Sequence, residues 1–344
     1  MKAAIYYGIK DVKYEEIEKP VAGNKDVIIK VTRAGICGTD IHAYLHGGEP
    51  VGIHPGNQFG HEFVGIVDEV GSDVKTIKPG MHVTINPTSR IPEGKGLNST
   101  EIADMSGAFS EYVIVEEAKL NENIFVLPNG LSFDKAVLIE PLSVSTHGVN
   151  RANLIGNERA LIYGAGTIGL ATISALQSKG VKDIIVSDIN DFRLSLAEKL
   201  GAITFNSSKG NLIEFVKEKF GVLKGNSNED MINIDVVFDC AGHPSIIPEF
   251  MDNAKTLSKL VIVAIHANDA TISPLWLLAK EVDILGSRGY LPSDIIDSIN
   301  TLADPECKLD SIITHVYPHS DIINAFVQAA DASQSNKVVI KYED

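Results

Sequence analysis

Residues Ala160-Leu161-Ile162-Tyr163-Gly164-Ala165-Gly166-Thr167-Ile168-Gly169 decide the fold. A short apolar run ends in G-x-G-x-x-G, and Ile168–Lys179 continues with helical periodicity. Strand, glycine turn and helix, in that order, are what a dinucleotide-binding turn requires. Gly164 permits the tight turn, Gly166 lets the backbone approach a pyrophosphate, and Gly169 lets the helix pack on the strand. Thr167 and Ile168 open the helix, whose N-terminus offers unpaired N–H groups and partial positive charge to phosphates. Asp188 closes the next strand, 19 residues beyond Gly169. A carboxylate there accepts hydrogen bonds from both ribose hydroxyls of NAD and repels a 2′-phosphate, which favours NAD over NADP. The plain alternative is a glycine-rich turn beside a solvent-facing Asp. The register of strand, helix and acid argues against it.

Downstream the same alternation continues. Asp183–Ser187 reads as a strand, Asp191–Leu200 and Asn211–Phe220 as helices, and Ile234–Phe238 as a strand. Ser245–Ala254 is helical, and Val261–Ile265 and Val282–Leu285 are strands. Strands alternating with helices imply βαβ units and a parallel sheet, an α/β class. Two helix-like stretches, Asp294–Leu302 and Asp321–Ala330, precede a terminal strand, Lys337–Tyr342. Upstream, the first 150 residues read instead as strands and turns. Val27–Arg33, Phe63–Val70, Val83–Ile85 and Ala108–Val115 are punctuated by Gly and Pro, the pattern of an irregular barrel or sandwich. Asn86–Gly107 is polar and reads as an exposed loop whose length suggests a purpose.

The bulk numbers exclude several classes. At 344 residues the chain is comfortable for two cores. Its 30 Lys and Arg against 45 Asp and Glu give a charge of −15, which leaves no basic surplus for nucleic acid. The lysines at Lys78 and Lys255/Lys259 read as solvated surface. The longest apolar stretches, such as Leu260–Ile265, are strand-sized, so no membrane span is expected. Met1–Lys10 lacks a charged leader and apolar core, so no signal peptide is expected. Three widely spaced cysteines, Cys37, Cys240 and Cys307, argue against a disulfide framework and for a reducing cytoplasm.

Cys37 sits in Gly35-Ile36-Cys37-Gly38-Thr39-Asp40-Ile41-His42, His61 and Glu62 in Gly60-His61-Glu62, and Glu140 in Glu140-Pro141-Leu142-Ser143-Val144. Sulfur, imidazole and carboxylate together suit zinc, and the long gaps suit a site that a folded domain assembles with one position open. Taken singly, Cys37 also reads as a buried thiol, His61 as an interior histidine, and the two glutamates as surface acids.

Together these segments resemble the zinc-dependent medium-chain alcohol dehydrogenases. Gly60-His61-Glu62-Phe63-Val64-Gly65, followed by Gly71 and Val74, matches that family's zinc motif, and the likeness runs from Met1-Lys2-Ala3-Ala4 to the terminal strand. Glu140-Pro141-Leu142-Ser143-Val144 and Gly286-Ser287-Arg288 point to its polyol branch of sorbitol, butanediol, idonate or galactonate, and threonine dehydrogenases. The resemblance implies a GroES-like β-rich catalytic domain over 1–149 and 287–344 and a doubly wound Rossmann NAD-binding domain over 150–286. It implies that Cys37, His61 and Glu62 ligate zinc, with Glu140 approaching the metal or its substrate. Thr39 and His42 match a proton relay. Ile168, Asp188 and Arg193 match cofactor contacts, Ala264, Ile265 and His266 with Gly286, Ser287 and Arg288 flank the nicotinamide half, and Arg288 also matches a substrate contact. The expected reaction moves a hydride between NAD(H) and a secondary alcohol of a small polyol, diol or sugar acid, in a homodimer or homotetramer. Two departures stand out. Asn86–Gly107 contains no cysteine, so the four-cysteine structural zinc of many relatives has no ligands and one zinc is expected. Ala43 follows His42 where sorbitol dehydrogenases place a tyrosine. The other readings are a zinc-free quinone or enone reductase of the same superfamily, and a non-catalytic dinucleotide sensor.

Overall fold

Val27–Gly35 is a nine-residue strand of almost unbroken burial, and the first compact unit is built around it. A computed structural model describes residues 1–87, 107–225 and 228–343. Contacts divide the chain into two units: 1–140 with 291–305 and 312–344, and 141–290 with 306–311.

In the first unit, Val27–Gly35 pairs antiparallel with Glu62–Val70, Tyr112–Val115 and the terminal strand Lys337–Lys341. Ile313–Pro318, His82–Ile85 and Ile124–Val126 extend this sheet. A second sheet joins Asp11–Glu16, Lys2–Gly8 and Asn57–Gln58. The β-branched residues of these strands pack inward around an aromatic cluster, in which Phe109 lies 4.9 Å from Phe59 and 5.4 Å from Phe326. The register has a chemical consequence. Gly35 pairs with Glu62 on one side and with Val339 on the other, so one row of the sheet runs Val339–Gly35–Glu62. Lys337, two residues before Val339, faces the same side because strand side chains alternate with period two.

The second unit is a six-stranded sheet whose pairs are all parallel. Its order is Ile203–Asn206, Asp183–Asp188, Arg159–Tyr163, Val236–Asp239, Lys259–Ile262, Asp283–Gly286. This 3-2-1-4-5-6 arrangement reverses direction beside Arg159–Tyr163, and ligands of such sheets bind at the carboxyl ends of the strands near that reversal. Leu161 and Ile162 are fully buried, as strands covered on both faces must be. Asn190 and Asn211 cap the helices Asp191–Lys199 and Leu212–Phe220, accepting from Phe192 N at 2.8 Å and Glu214 N at 3.1 Å respectively.

Two sequence expectations shift. Lys255 and Lys259 are not solvated surface: Lys255 Nζ meets Asp235 at 2.5 Å, and Lys259 Nζ donates to the Ala152 carbonyl at 2.6 Å. Both tie neighbouring strand and helix ends together. The strand expected at Val261–Ile265 is Lys259–Ile262, because Val263 and Ala264 turn away to donate their N–H groups to the Asp239 carbonyl. Among the described residues no helix is long and apolar enough to cross a membrane.

Candidate metal centre and dinucleotide site

Cys37 follows the Val27–Gly35 strand and caps the N-terminus of the helix Gly38–His46. His61 immediately precedes the strand Glu62–Val70. The antiparallel pairing of Gly35 with Glu62 therefore brings residues far apart in sequence together. One ligand atom from each of Cys37, His61 and Glu62 lies within 4.8 Å of the others. This is the one such group among the described residues.

The surroundings hold each member in place. Asp40, fully buried, accepts from the Cys37 backbone N–H at 2.8 Å and closes the first turn of the helix. Burial pushes the Asp40 carboxyl up to about 6, against the pull of His61 and the Cys37 N–H. Glu62 is paired with Lys337, and both side chains are 1% exposed. Lys337 Nζ also donates to the Ile36 carbonyl at 3.1 Å. Burial works against the lysine's charge, but Glu62, Cys37 and Glu140 outweigh it and hold the ammonium above its ordinary range. Space for the pair exists because residue 35 is glycine: a Cβ there would come within 2.2 Å of a Glu62 oxygen and 3.2 Å of Lys337 Cε.

Burial likewise opposes a charged His61, yet the adjacent Cys37 sulfur, Glu140 and Asp40 raise it well above the usual imidazole range. A divalent cation among the same groups reverses that preference, because a ligating imidazole must be neutral. His61 Nδ1 is buried without a hydrogen-bond partner, as is Thr39 Oγ1. Sulfur, imidazole and carboxylate ligand atoms gathered within 4.8 Å are a donor set that zinc satisfies. Glu140 lies in the first turn of the helix Ile139–Ala152, outside the group of three. It acts on His61 and Lys337 through its charge. His42 is exposed on the Gly38–His46 helix. Most of the polar loop expected over Asn86–Gly107, residues 88–106, lies outside the described residues.

In the second unit Gly164 takes φ +95°, a left-handed conformation that glycine enters freely. Gly169 packs so tightly that a Cβ would stand 1.8 Å from the Gly164 carbonyl oxygen. Gly166 caps the helix Thr167–Ser178 with no side chain of its own, and a Cβ there would meet nothing within 4 Å. The helix N-terminus is thus left open to a phosphate. Asp188 ends its strand and accepts from Ala165 N at 2.6 Å and Asn190 N at 2.8 Å, so it shapes the glycine turn as well as facing outward. Beside it opens a cavity of about 600 Å³ lined by residues that include Gly164, Asp188, Ile189, Ser207, Asn211, Ala241 and His243. Arg193 Nε is buried with no partner. The glycine turn, the open helix N-terminus and this cavity fit one half of a dinucleotide.

Three positions expected around the nicotinamide half are clearly placed. His266 Nε2 lies 2.6 Å from the Asp239 carboxylate, whose other oxygen accepts from Gly242 N at 2.8 Å. Gly286 ends the edge strand, and Ser287 donates its N–H to the Ile262 carbonyl at 2.9 Å. Ser287 Oγ is buried without a partner. Of the others, Ile265 is 85% exposed and Arg288 is exposed. Burial lifts the Cys240 thiol to about 12, which disfavours the thiolate. The sequence reading passed over Asp40, Asp239 and Lys337. The clearest missed signal was Lys337 itself, a lysine opening the apolar run Val338-Val339-Ile340.

A thiol–imidazole–carboxylate group in one unit and a glycine-turn dinucleotide fold in the other together define a metal-using nucleotide oxidoreductase. Comparison with known proteins narrows the class. Residues 23–124 match the alcohol dehydrogenase GroES-like domain, and residues 167–304 match the zinc-binding dehydrogenase domain. The chain is 32% identical over 343 residues to (R,R)-butanediol dehydrogenase of Bacillus subtilis, covering 94% of each. A crystal structure of 2R,3R-butanediol dehydrogenase from that organism superposes with a TM-score of 0.86 at 30% identity, covering 99% of both chains. An Escherichia coli alcohol dehydrogenase solved with NADH superposes at 0.85 and 27% identity, again over 99% of both. The chain belongs to the zinc-containing medium-chain alcohol dehydrogenases, a family that typically uses zinc and NAD(H).

Proposed function

We propose that this chain oxidises a secondary alcohol of a small diol, polyol or sugar acid, and reduces the matching ketone, with NAD(H) and one zinc per chain. The observation that carries the reading is the convergence of Cys37, His61 and Glu62 within 4.8 Å. Zinc held there supplies a Lewis acid that lowers the pKa of an alcohol, and NAD supplies the hydride acceptor. The protein's own residues do the rest. Cys37, His61 and Glu62 hold the metal, and Lys337 holds the Glu62 carboxylate in place. Thr39 Oγ1, buried and unpartnered, is the first acceptor for the substrate's hydroxyl proton. Exposed His42 passes it to water. Glu140, whose charge reaches His61, orients the substrate.

The name of the butanediol dehydrogenase relative supports a vicinal diol among the substrates. A zinc-free reductase would leave the three-residue group without a purpose. The test is turnover of the zinc-loaded protein with NAD over secondary alcohols, vicinal diols, polyols and sugar acids. Oxidation concentrated on vicinal diols or polyols is expected, and no oxidation of any alcohol would reject the proposal.

The cofactor half carries its own prediction. Asp188→Ala removes charge-assisted hydrogen bonds worth about 1.5–3 kcal/mol. KM for NAD should rise about 10- to 100-fold, and the preference over NADP should shrink because the charge that repels a 2′-phosphate is gone. Steady-state kinetics with both cofactors checks this, and an unchanged KM for NAD would remove Asp188 from the site.

A further inference from the structure

The helix Gly38–His46 buries Asp40, Ala43 and Tyr44 and turns Gly38, His42 and His46 to solvent. His42 and His46 stand four residues apart, the spacing at which helical side chains become neighbours. It is also the spacing by which helical histidine pairs chelate zinc. Their rings are 5.2 Å apart between centroids and tilted by 56°. With Zn–N bonds of about 2.0–2.1 Å and a tetrahedral angle, two imidazoles sharing a zinc have centroids roughly 5 Å apart. The rings therefore need little movement to share an ion. Because both are exposed, binding strips little water from them. The pair also occupies the last turns of the helix, where the backbone dipole favours a cation.

We propose that His42 and His46 form a second, solvent-facing metal site, specific for borderline divalent cations such as Zn²⁺, through which excess metal inhibits the enzyme. Among the described residues no third His, Cys or carboxylate joins the pair at ligand distance, so water completes the coordination. The site is accordingly weaker than the buried one and fills after it. Filling it takes the nitrogen lone pair that His42 needs as a proton acceptor. The binding half stands on geometry alone, whereas the inhibitory half rests on the relay role given to His42 above.

The experiment uses zinc-loaded protein, wild type and His46→Ala, with added Zn²⁺ followed by isothermal titration calorimetry and by turnover. His46 has no part in the proposed chemistry, so the variant should keep basal activity. Wild type should bind a second equivalent and lose turnover as it fills. In His46→Ala the second affinity and the half-inhibiting zinc concentration should both weaken by at least about tenfold, the scale on which metal sites respond to lost support. Equal second-equivalent binding in wild type and variant would overturn the site. Binding that depends on His46 without loss of wild-type turnover would overturn its inhibitory role, and with it the relay reading of His42.

Discussion

Cys37→Ser should fold, lose its zinc and lose turnover together. Serine keeps the size and the helix-capping position, and its backbone N–H can still donate to Asp40 as Cys37 does at 2.8 Å. What it lacks is a thiolate, the softest of the three donors and the one that best selects zinc over harder cations. With the Lewis acid gone, the alcohol keeps a pKa far above neutrality. Several kcal/mol of stabilisation disappear, so kcat/KM should fall at least about a thousandfold. Metal analysis and kinetics on one preparation decide the matter. A metal-free variant with full turnover would mean that the chemistry does not pass through this site.

Lys337→Met should be the most damaging substitution outside the ligand set. It leaves the Glu62 carboxylate, 1% exposed, without its counter-charge. Removing one partner of a buried ion pair costs about 3–5 kcal/mol, because the remaining charge is neither hydrated nor paired. The loss should be largest in protein stripped of metal and smaller with zinc bound, since the cation then balances Glu62. Denaturant unfolding with and without zinc measures both. A second substitution, Glu62→Gln in the Lys337→Met background, should recover much of the stability by removing the stranded charge. Strict additivity of the two changes would show that the pair is not coupled.

The parallel-sheet unit was legible because its signals are local. Buried parallel strands read as apolar runs, and the glycines of the first turn, the Asn caps and Asp188 sit at fixed offsets from those runs. The short strand Ile203–Asn206 escaped notice because it is only partly buried at the sheet edge. The helix Ile139–Ala152 was hidden by Pro141, which breaks a helical pattern on paper yet is tolerated in a first turn. Gly38–His46 read as a motif rather than a helix, since glycine and threonine open it and it spans only nine residues.

The candidate site was legible as residue types and order, with Cys37, His61 and Glu62 all named before any geometry. Its support was not. Asp40, Lys337 and Asp239 are charged residues buried at 2% exposure or less, and hydropathy assigns such residues to the surface. Only the strand register, which brings Val339, Gly35 and Glu62 into one row, shows that Lys337 has a partner. Pairings between residues 275 positions apart are a property of the sheet and leave no trace in spacing.

The most direct test of the account is zinc per chain in purified protein, dialysed to strip loosely held metal, with turnover followed through chelation and zinc restoration. The account predicts one zinc per chain, activity lost as that zinc is removed, and activity recovered when it returns. Full turnover from protein that holds no zinc even after reconstitution would contradict it.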